Sequence, residues 1–134
     1  SNVLFHEPVN KKKLAGLMIS ADLGLQTLTN IEAFYYGTSP NKFFDYIAAG
    51  LPVLINYPGW IADIVSKNDA GYVVPPEDAI SFADALEAAA GNQNCLKAKG
   101  LNGKRLAIEN FDRKMQVSDW VDVLELTYNN VGKN

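Results

Sequence analysis

Three observations predict an α/β fold, a partial parallel sheet with flanking helices and a helical C-terminus. Short apolar runs alternate along the chain with segments whose apolar residues recur at helical spacing, the order of right-handed β-α-β crossovers. The run Val53-Leu54-Ile55 is continuously apolar, as in a parallel strand covered on both faces. The chain has 134 residues, 48% hydrophobic and 20% charged. That composition supports one core and argues against disorder.

Each element has its own signal. Val3-Leu4-Phe5 reads as a short buried strand stopped by Pro8, with Ser1-Asn2 set aside as a tag remnant. Leu14, Leu17, Met18 and Ala21 mark one face of a helix, which Asp22 ends. Leu23 to Leu28 reads as a second strand with Leu23 and Leu25 on one face, followed by an aromatic loop from Thr29 to Thr38. Ser39 reads as an N-cap with Pro40 at the first helical position. Phe44, Ile47, Ala48 and Leu51 form the expected buried stripe, and Gly50 with Pro52 closes that helix. Pro52 to Tyr57 is the third strand, and Pro58-Gly59 turns into a helix with Ile61, Ile64 and Val65 inward. Gly71 to Val74 is the fourth strand, and Asp78 caps a helix whose stripe is Phe82, Ala85, Leu86 and Ala89. Beyond Gly91 the pattern stays helical, first with Leu96 and Ile108 inward, then Val117, Val121, Leu124 and Tyr128.

Composition narrows the function. A formal net charge of -3 and a pI near 5.0 draw in no nucleic acid. No apolar run reaches the roughly 20 residues that span a bilayer. The single Cys95 fits a reducing compartment and excludes a cysteine-rich zinc site. The only histidine, His6, has no nucleophile context and reads as a strand-end residue. No carboxylate cluster has metal-ligand spacing. Gly100-Leu101-Asn102-Gly103-Lys104 lacks a preceding strand and reads as helix with small contact residues. Lys11-Lys12-Lys13 reads as a solvated helix start that could touch a membrane surface weakly. Tyr35-Tyr36 either stacks on a ligand or pins its loop.

The turn Gly37-Thr38-Ser39-Pro40-Asn41-Lys42 carries the most chemistry. Free N–H groups at a helix start hold anions, and Lys42 at the third helical position adds a positive charge. Asp45 lies one turn on, about 9 Å from Ser39 at ~1.5 Å per residue, with side chains leaning back toward the helix start. A phosphate at the tip and a sugar hydroxyl on Asp45 fit one nucleotide-sized ligand. The plainer reading is a common helix cap with Lys42 and Asp45 as an i, i+3 surface pair.

Ser39-Pro40-Asn41-Lys42-Phe43-Phe44-Asp45-Tyr46-Ile47-Ala48-Ala49-Gly50-Leu51-Pro52-Val53 closely resembles the donor-binding half of family-4 glycosyltransferases. These are retaining enzymes of the GT-B fold, with two Rossmann-like domains. The flanks Ala21-Asp22-Leu23-Gly24-Leu25 and Ala70-Gly71-Tyr72-Val73-Val74-Pro75-Pro76-Glu77-Asp78 agree, as does the Arg105…Phe111…Trp120…Tyr128 spacing. Within the family, the Tyr36-to-Lys42 form is most similar to bacterial surface-polysaccharide enzymes, including N-acetyl-fucosamine transferases.

The resemblance implies roles for particular residues. The family carries two glutamates separated by seven residues; Asp45 matches the second and is implied to contact the ribose hydroxyls. Gly37 stands where the first belongs, so the usual donor-sugar contact is missing. Gly37, Thr38, Ser39, Pro40, Asn41 and Lys42 are implied to hold the donor diphosphate or sugar through backbone N–H groups. Glu7, Pro8 and Val9 lie where the nucleobase packs, Glu7 replacing a usual glycine. The family's basic Arg/Lys pair and its acceptor domain precede the matching segment, so no residue here is assigned a catalytic role. Residues 1–134 are therefore expected to be one truncated donor-binding domain of a GT-B enzyme, with C-terminal helices over 104–131. Loss of the preceding strands predicts a rearranged first strand or self-association.

The implied function is hexosyl or N-acetylhexosaminyl transfer from a nucleotide-sugar to an acceptor hydroxyl in bacterial capsule or O-antigen synthesis. The expected donor is a UDP-sugar ahead of a GDP-sugar, and the acceptor in the full enzyme is a saccharide or lipid-linked. No cofactor, metal or nucleic acid is expected. The location is cytoplasmic, extending to the inner face of the cytoplasmic membrane, and this chain alone is expected not to turn over. Two alternatives stand beside this reading. A sugar-nucleotide epimerase has a related fold, against which Ala48 to Val53 argues; a non-catalytic α/β interaction module would carry only an incidental helix cap.

Overall fold

The computed structural model describes residues 2–131. Ser1, half of the expected tag remnant, and residues 132–134 of the expected single domain lie outside the described residues. Three parallel strands, β1 Gly24–Gln26, β2 Val53–Ile55 and β3 Gly71–Val73, form a sheet in the order β1-β2-β3. Gly24 is in register with Val53, and Val53 with Gly71. Helix α1 Lys11–Ser20 precedes the sheet, α2 Glu32–Gly37 and α3 Asn41–Ala49 join β1 to β2, and α4 Trp60–Lys67 joins β2 to β3. Helices α5 Ala79–Gly91, α6 Gln93–Asn110 and α7 Arg113–Val131 follow. The predicted class holds: a parallel α/β sheet flanked by helices, with a helical end.

The two-residue period of β2 divides the core. Val53 and Ile55 face Phe43 and Ile47 of α3, Ile61 and Val65 of α4 and Leu106 of α6. Leu54 points the other way, to Val74 and Ala85, with Leu23, Tyr72 and Phe82 packed around them. All three β2 side chains are fully buried, as the unbroken apolar run requires. Gly24 lets Tyr46 of α3 lie on β1, because a Cβ there would come within 2.6 Å of the ring. Past Ile55 the Asn56 side chain continues the pairing, accepting from Leu28 N–H at 2.8 Å and donating to its carbonyl at 3.0 Å.

Several expectations need correcting. Val3-Leu4-Phe5 is not a strand; it lies outside the sheet, with Phe5 96% exposed. A three-residue apolar run becomes a strand only beside a neighbour that takes its backbone and its side chains, and β1 is the sheet's edge. The second strand is shorter than Leu23 to Leu28, and Leu25 is exposed while Gly24 and Gln26 are buried. The aromatic loop contains α2. The α3 stripe is Phe43 and Ile47; Phe44 is half-buried and Ala48 exposed. Ile64 is only half-buried, β3 ends at Val73, and Leu86 and Ile108 are exposed, with Leu106 taking the core position expected of Ile108. Every described side chain of α7 from 113 to 129 is exposed, so Val117, Val121, Leu124 and Tyr128 form no buried stripe here.

Other expectations stand. Gly50 closes α3 at φ 76°, its N–H bonding to Ile47 O at 3.0 Å while Leu51 N–H reaches Tyr46 O. Asp78 caps α5 through Ser81 N–H. Gly100 and Gly103 are buried on α6, where that helix crosses α3.

Candidate functional site

Parallel strands joined by helices carry the following helix N-termini to the carboxyl edge of the sheet, where such folds bind ligands. The loops at this edge are tied together. Tyr35 of α2 is buried and stacked on Tyr57, with ring centres 6.4 Å apart. Its hydroxyl donates to Asn30 Oδ1, and Asn30 Nδ2 donates to Glu77 Oε2 at 3.0 Å. Burial pushes the Tyr35 hydroxyl above its usual pKa, and Glu32 and Glu77 add to that. Of the two readings for this aromatic pair, Tyr35 pins the loop, whereas Tyr36 is exposed. Gly59 precedes α4 at φ 124°, and a Cβ there would lie 2.3 Å from Tyr35 O. Trp60, one residue on, donates its Nε1–H to Thr38 O at 3.1 Å and so holds the segment leading into α3.

The start of α3 differs by one residue from the expected register. Pro40 is the N-cap, Ser39 supplies no capping bond, and Lys42 is the second helical residue rather than the third. Phe43 N–H bonds to Pro40 O at 3.0 Å, leaving the N–H groups of Asn41 and Lys42 outside the helical ladder. No side-chain oxygen caps these donors. Lys42 and Asp45 are exposed and do not form the i, i+3 pair; among the described residues the ion pair present is Lys99–Asp69.

A hollow of about 460 Å³ opens beside this helix start, lined by Lys11, Asn41, Phe44, Asp45, Phe111, Arg113 and Gln116. A second hollow of about 460 Å³ runs between α1 and α3 along Leu14, Ala15, Met18, Ile19, Ala48 and Ala49. Lys11 and Asp45 line both, so Asp45 stands where a polar space meets an apolar one. Of the residues singled out in the sequence, Asn41 and Asp45 come together here. Gly37, Thr38, Ser39, Pro40 and Lys42 do not line either hollow, although all flank Asn41 in the chain. Glu7 and Pro8 are exposed and Val9 is half-buried; this turn leads into Lys11 without lining the hollows.

Lys11, Phe111, Arg113 and Gln116 are members the sequence reading missed. Lys11 was visible within a lysine run, but nothing local distinguishes a lysine over a hollow from one in open solvent. Arg113 carries no local signal; it reaches α3 only because Phe111 packs its ring edge-on against Phe44 at 5.1 Å. The hollow offers cations, a carboxylate, amides and two aromatic rings, which suits an anionic ligand bearing hydroxyl groups. A third hollow, about 350 Å³, lies by Asn56, Glu77, Asp78 and Phe82. Among the described residues no group of His, Cys, Asp or Glu is placed to hold a metal ion. His6 is exposed and Cys95 half-buried.

Comparison with known proteins identifies the family. The sequence pattern of a family described as glycosyl transferases group 1 covers residues 1–92. That range contains the whole sheet, the 37–42 segment and Asp45, and stops before Arg113. No curated protein matches the chain.

Proposed function

This chain belongs to the group 1 glycosyl transferases, and from that premise we propose that it is the donor-nucleotide-binding part of a retaining, family-4 enzyme. The observation that carries the reading is the hollow shared by Asn41 and Asp45 beside a helix start with unclaimed N–H groups. Asp45 accepts from the ribose hydroxyls, and the N–H groups of Asn41 and Lys42 face the diphosphate. Departing negative charge on that diphosphate needs preorganised donors, a task the helix start shares with Lys42. Gly37, Thr38, Ser39 and Pro40 lead the chain to this point, and Glu7, Pro8 and Val9 bring the nucleobase wall. The donor is a UDP-sugar of the hexosyl or N-acetylhexosaminyl kind, and the acceptor is a saccharide or lipid-linked hydroxyl in capsule or O-antigen synthesis.

Two further parts of the reading rest on exposed surface. Contact with the inner face of the cytoplasmic membrane is supported by the exposed run Lys11-Lys12-Lys13. Among the described residues no helix is long and apolar enough to cross a membrane. Self-association is supported by the open edge of β1 and the exposed apolar residues of α7, Trp120 and Leu124 among them.

Ligand-observed NMR with UDP, GDP and ADP, repeated on Asp45→Ala, tests the donor site. Saturation transfer to the ribose and base of UDP is expected, and its loss in the variant. Equal transfer in Asp45→Ala would overturn the assignment of the ribose to Asp45.

A further inference from the structure

We infer that α1 is a lid whose order is coupled to occupancy of the space beside Asp45: the helix is only marginally formed when that space is empty, and a nucleotide held at Asp45 fastens it against α3. This coupling rests on the donor-site reading, since its occupant is the ligand that reading assigns to Asp45.

The helix supplies its own polar contacts and takes almost nothing from the body. Asn10 Oδ1 accepts from Lys13 N–H at 3.0 Å, and Leu14 N–H bonds to Asn10 O at 2.9 Å. At the other end the Ser20 hydroxyl donates to Leu17 O at 2.9 Å, and Ala21 N–H to Met18 O at 3.3 Å. Among the described residues no hydrogen bond or ion pair joins α1 to α3. No residue of α1 is buried, and Ile19 is 71% exposed. A helix of ten residues is marginal in water unless a packed face supports it. Segments with few buried contacts open locally at little cost.

The one neighbouring face gives incomplete support. α1 lies along α3, yet a hollow of about 460 Å³ separates them, with Leu14, Met18 and Ile19 on one wall and Ala48 and Ala49 on the other. The alanine methyls are too short to fill it. Asp45 borders this hollow and the polar one at the start of α3, and Lys11, the first residue of α1, lines both. A ligand held by Asp45 therefore lies against α1. The apolar α1 wall loses water when such a ligand enters the gap, and that gain exists only while α1 is helical and in place. Binding and helix order then favour each other, by the same factor in both directions.

Gly16 keeps the lid loose. It stands in the middle of α1, where glycine in place of alanine lowers the helix population about four- to five-fold. A Cβ at Gly16 would meet nothing within 4 Å, so alanine there adds helix propensity without touching α3. Apparent affinity scales with the fraction of molecules in the competent state, so ordering α1 raises it.

Amide hydrogen exchange and UDP titration test the coupling on the wild type, Gly16→Ala, Gly16→Pro, Asp45→Ala and the remote control Gly91→Ala. The Cβ added at Gly91 also meets nothing within 4 Å. In the ligand-free wild type the amides from Ala15 to Ser20 are expected to exchange far faster than those of α3, and UDP is expected to slow them. Gly16→Ala is expected to slow the same amides and to tighten UDP by up to about five-fold, with Gly91→Ala unchanged. Gly16→Pro breaks the helix and is expected to weaken UDP several-fold while the core amides stay protected. Amides of α1 as protected as those of α3 without ligand overturn the lid. Unchanged UDP affinity in Gly16→Ala, or an equal gain in Gly91→Ala, overturns the coupling, and the donor-site reading then survives if Asp45→Ala still weakens UDP. No binding of UDP to the wild type overturns that reading and the coupling with it.

Discussion

Asp78, at the start of α5, is engaged by one serine through both carboxylate oxygens. Oδ1 accepts from Ser81 N–H at 2.9 Å and Oδ2 from the Ser81 hydroxyl at 2.7 Å. These bonds favour the ionised form; the Ser81 hydroxyl contributes most, and together they hold the carboxyl below its ordinary 3.8 against the opposing effect of burial. A carboxyl whose folded-state pKa is depressed stabilises the fold above its unfolded pKa, and that contribution is lost as pH falls through the folded value. Asp78→Asn keeps a capping oxygen and removes the titration. Its thermal midpoint should therefore drop less steeply than the wild type's as pH falls below 3.8, and Asp78→Ala should be the least stable of the three at neutral pH. Thermal melts across that range check both. Asp78 was legible because an N-cap needs only its own helix. The Ser39 cap was misplaced by one residue, since Pro40 fits either the cap or the first turn and packing of Phe43 and Ile47 set the register.

Helix α6 lies against α3 through two glycines whose surroundings differ. A Cβ at Gly100 would stand 2.2 Å from Gly50 O, whereas one at Gly103 would meet Ile47 Cγ2 at 3.4 Å, an ordinary contact. Gly100→Ala must push backbone apart and should cost about 1–3 kcal/mol. Gly103→Ala should stay within about 1 kcal/mol of the wild type and lean toward stabilising, because alanine favours helix. Urea denaturation of both variants tests the pair, and an equal loss would contradict the helix crossing described here. The sequence shows that small residues sit in a helical stretch. It does not show which of them carries the close approach, because that depends on Gly50, fifty positions away in the chain.

At the scale of the whole molecule, the core and the last helix are nearly independent. The buried residues all lie between Gly24 and Leu106, in the sheet, in α2 through α6 and in their connections, and no described side chain of α7 is buried. A chain ended after Asp112 should thus keep its unfolding free energy within about 0.5 kcal/mol of the wild type. Chemical denaturation checks this, and a large loss would mean that α7 is covered in solution.

The periodicities of the chain dictated the α/β class, the burial of β2 on both faces and the order of the helices other than α2, because each depends on spacing within a few residues. The resemblance at Ser39 to Val53 pointed to family-4 glycosyltransferases, and the match over residues 1–92 shows the broader group 1 glycosyl transferases. Packing decided the rest. Val3-Leu4-Phe5 and Val117-Val121-Leu124 carry the same apolar signals as Val53-Leu54-Ile55 and Ile61-Val65, yet only the latter are buried. An apolar pattern states that a face can be covered; whether a covering surface exists is a long-range property. The candidate site divides the same way. Asp45 was legible one turn from a helix start, while the approach of Lys11 and Arg113 to it is made by the packing of α1 and of the α6–α7 bend on α3.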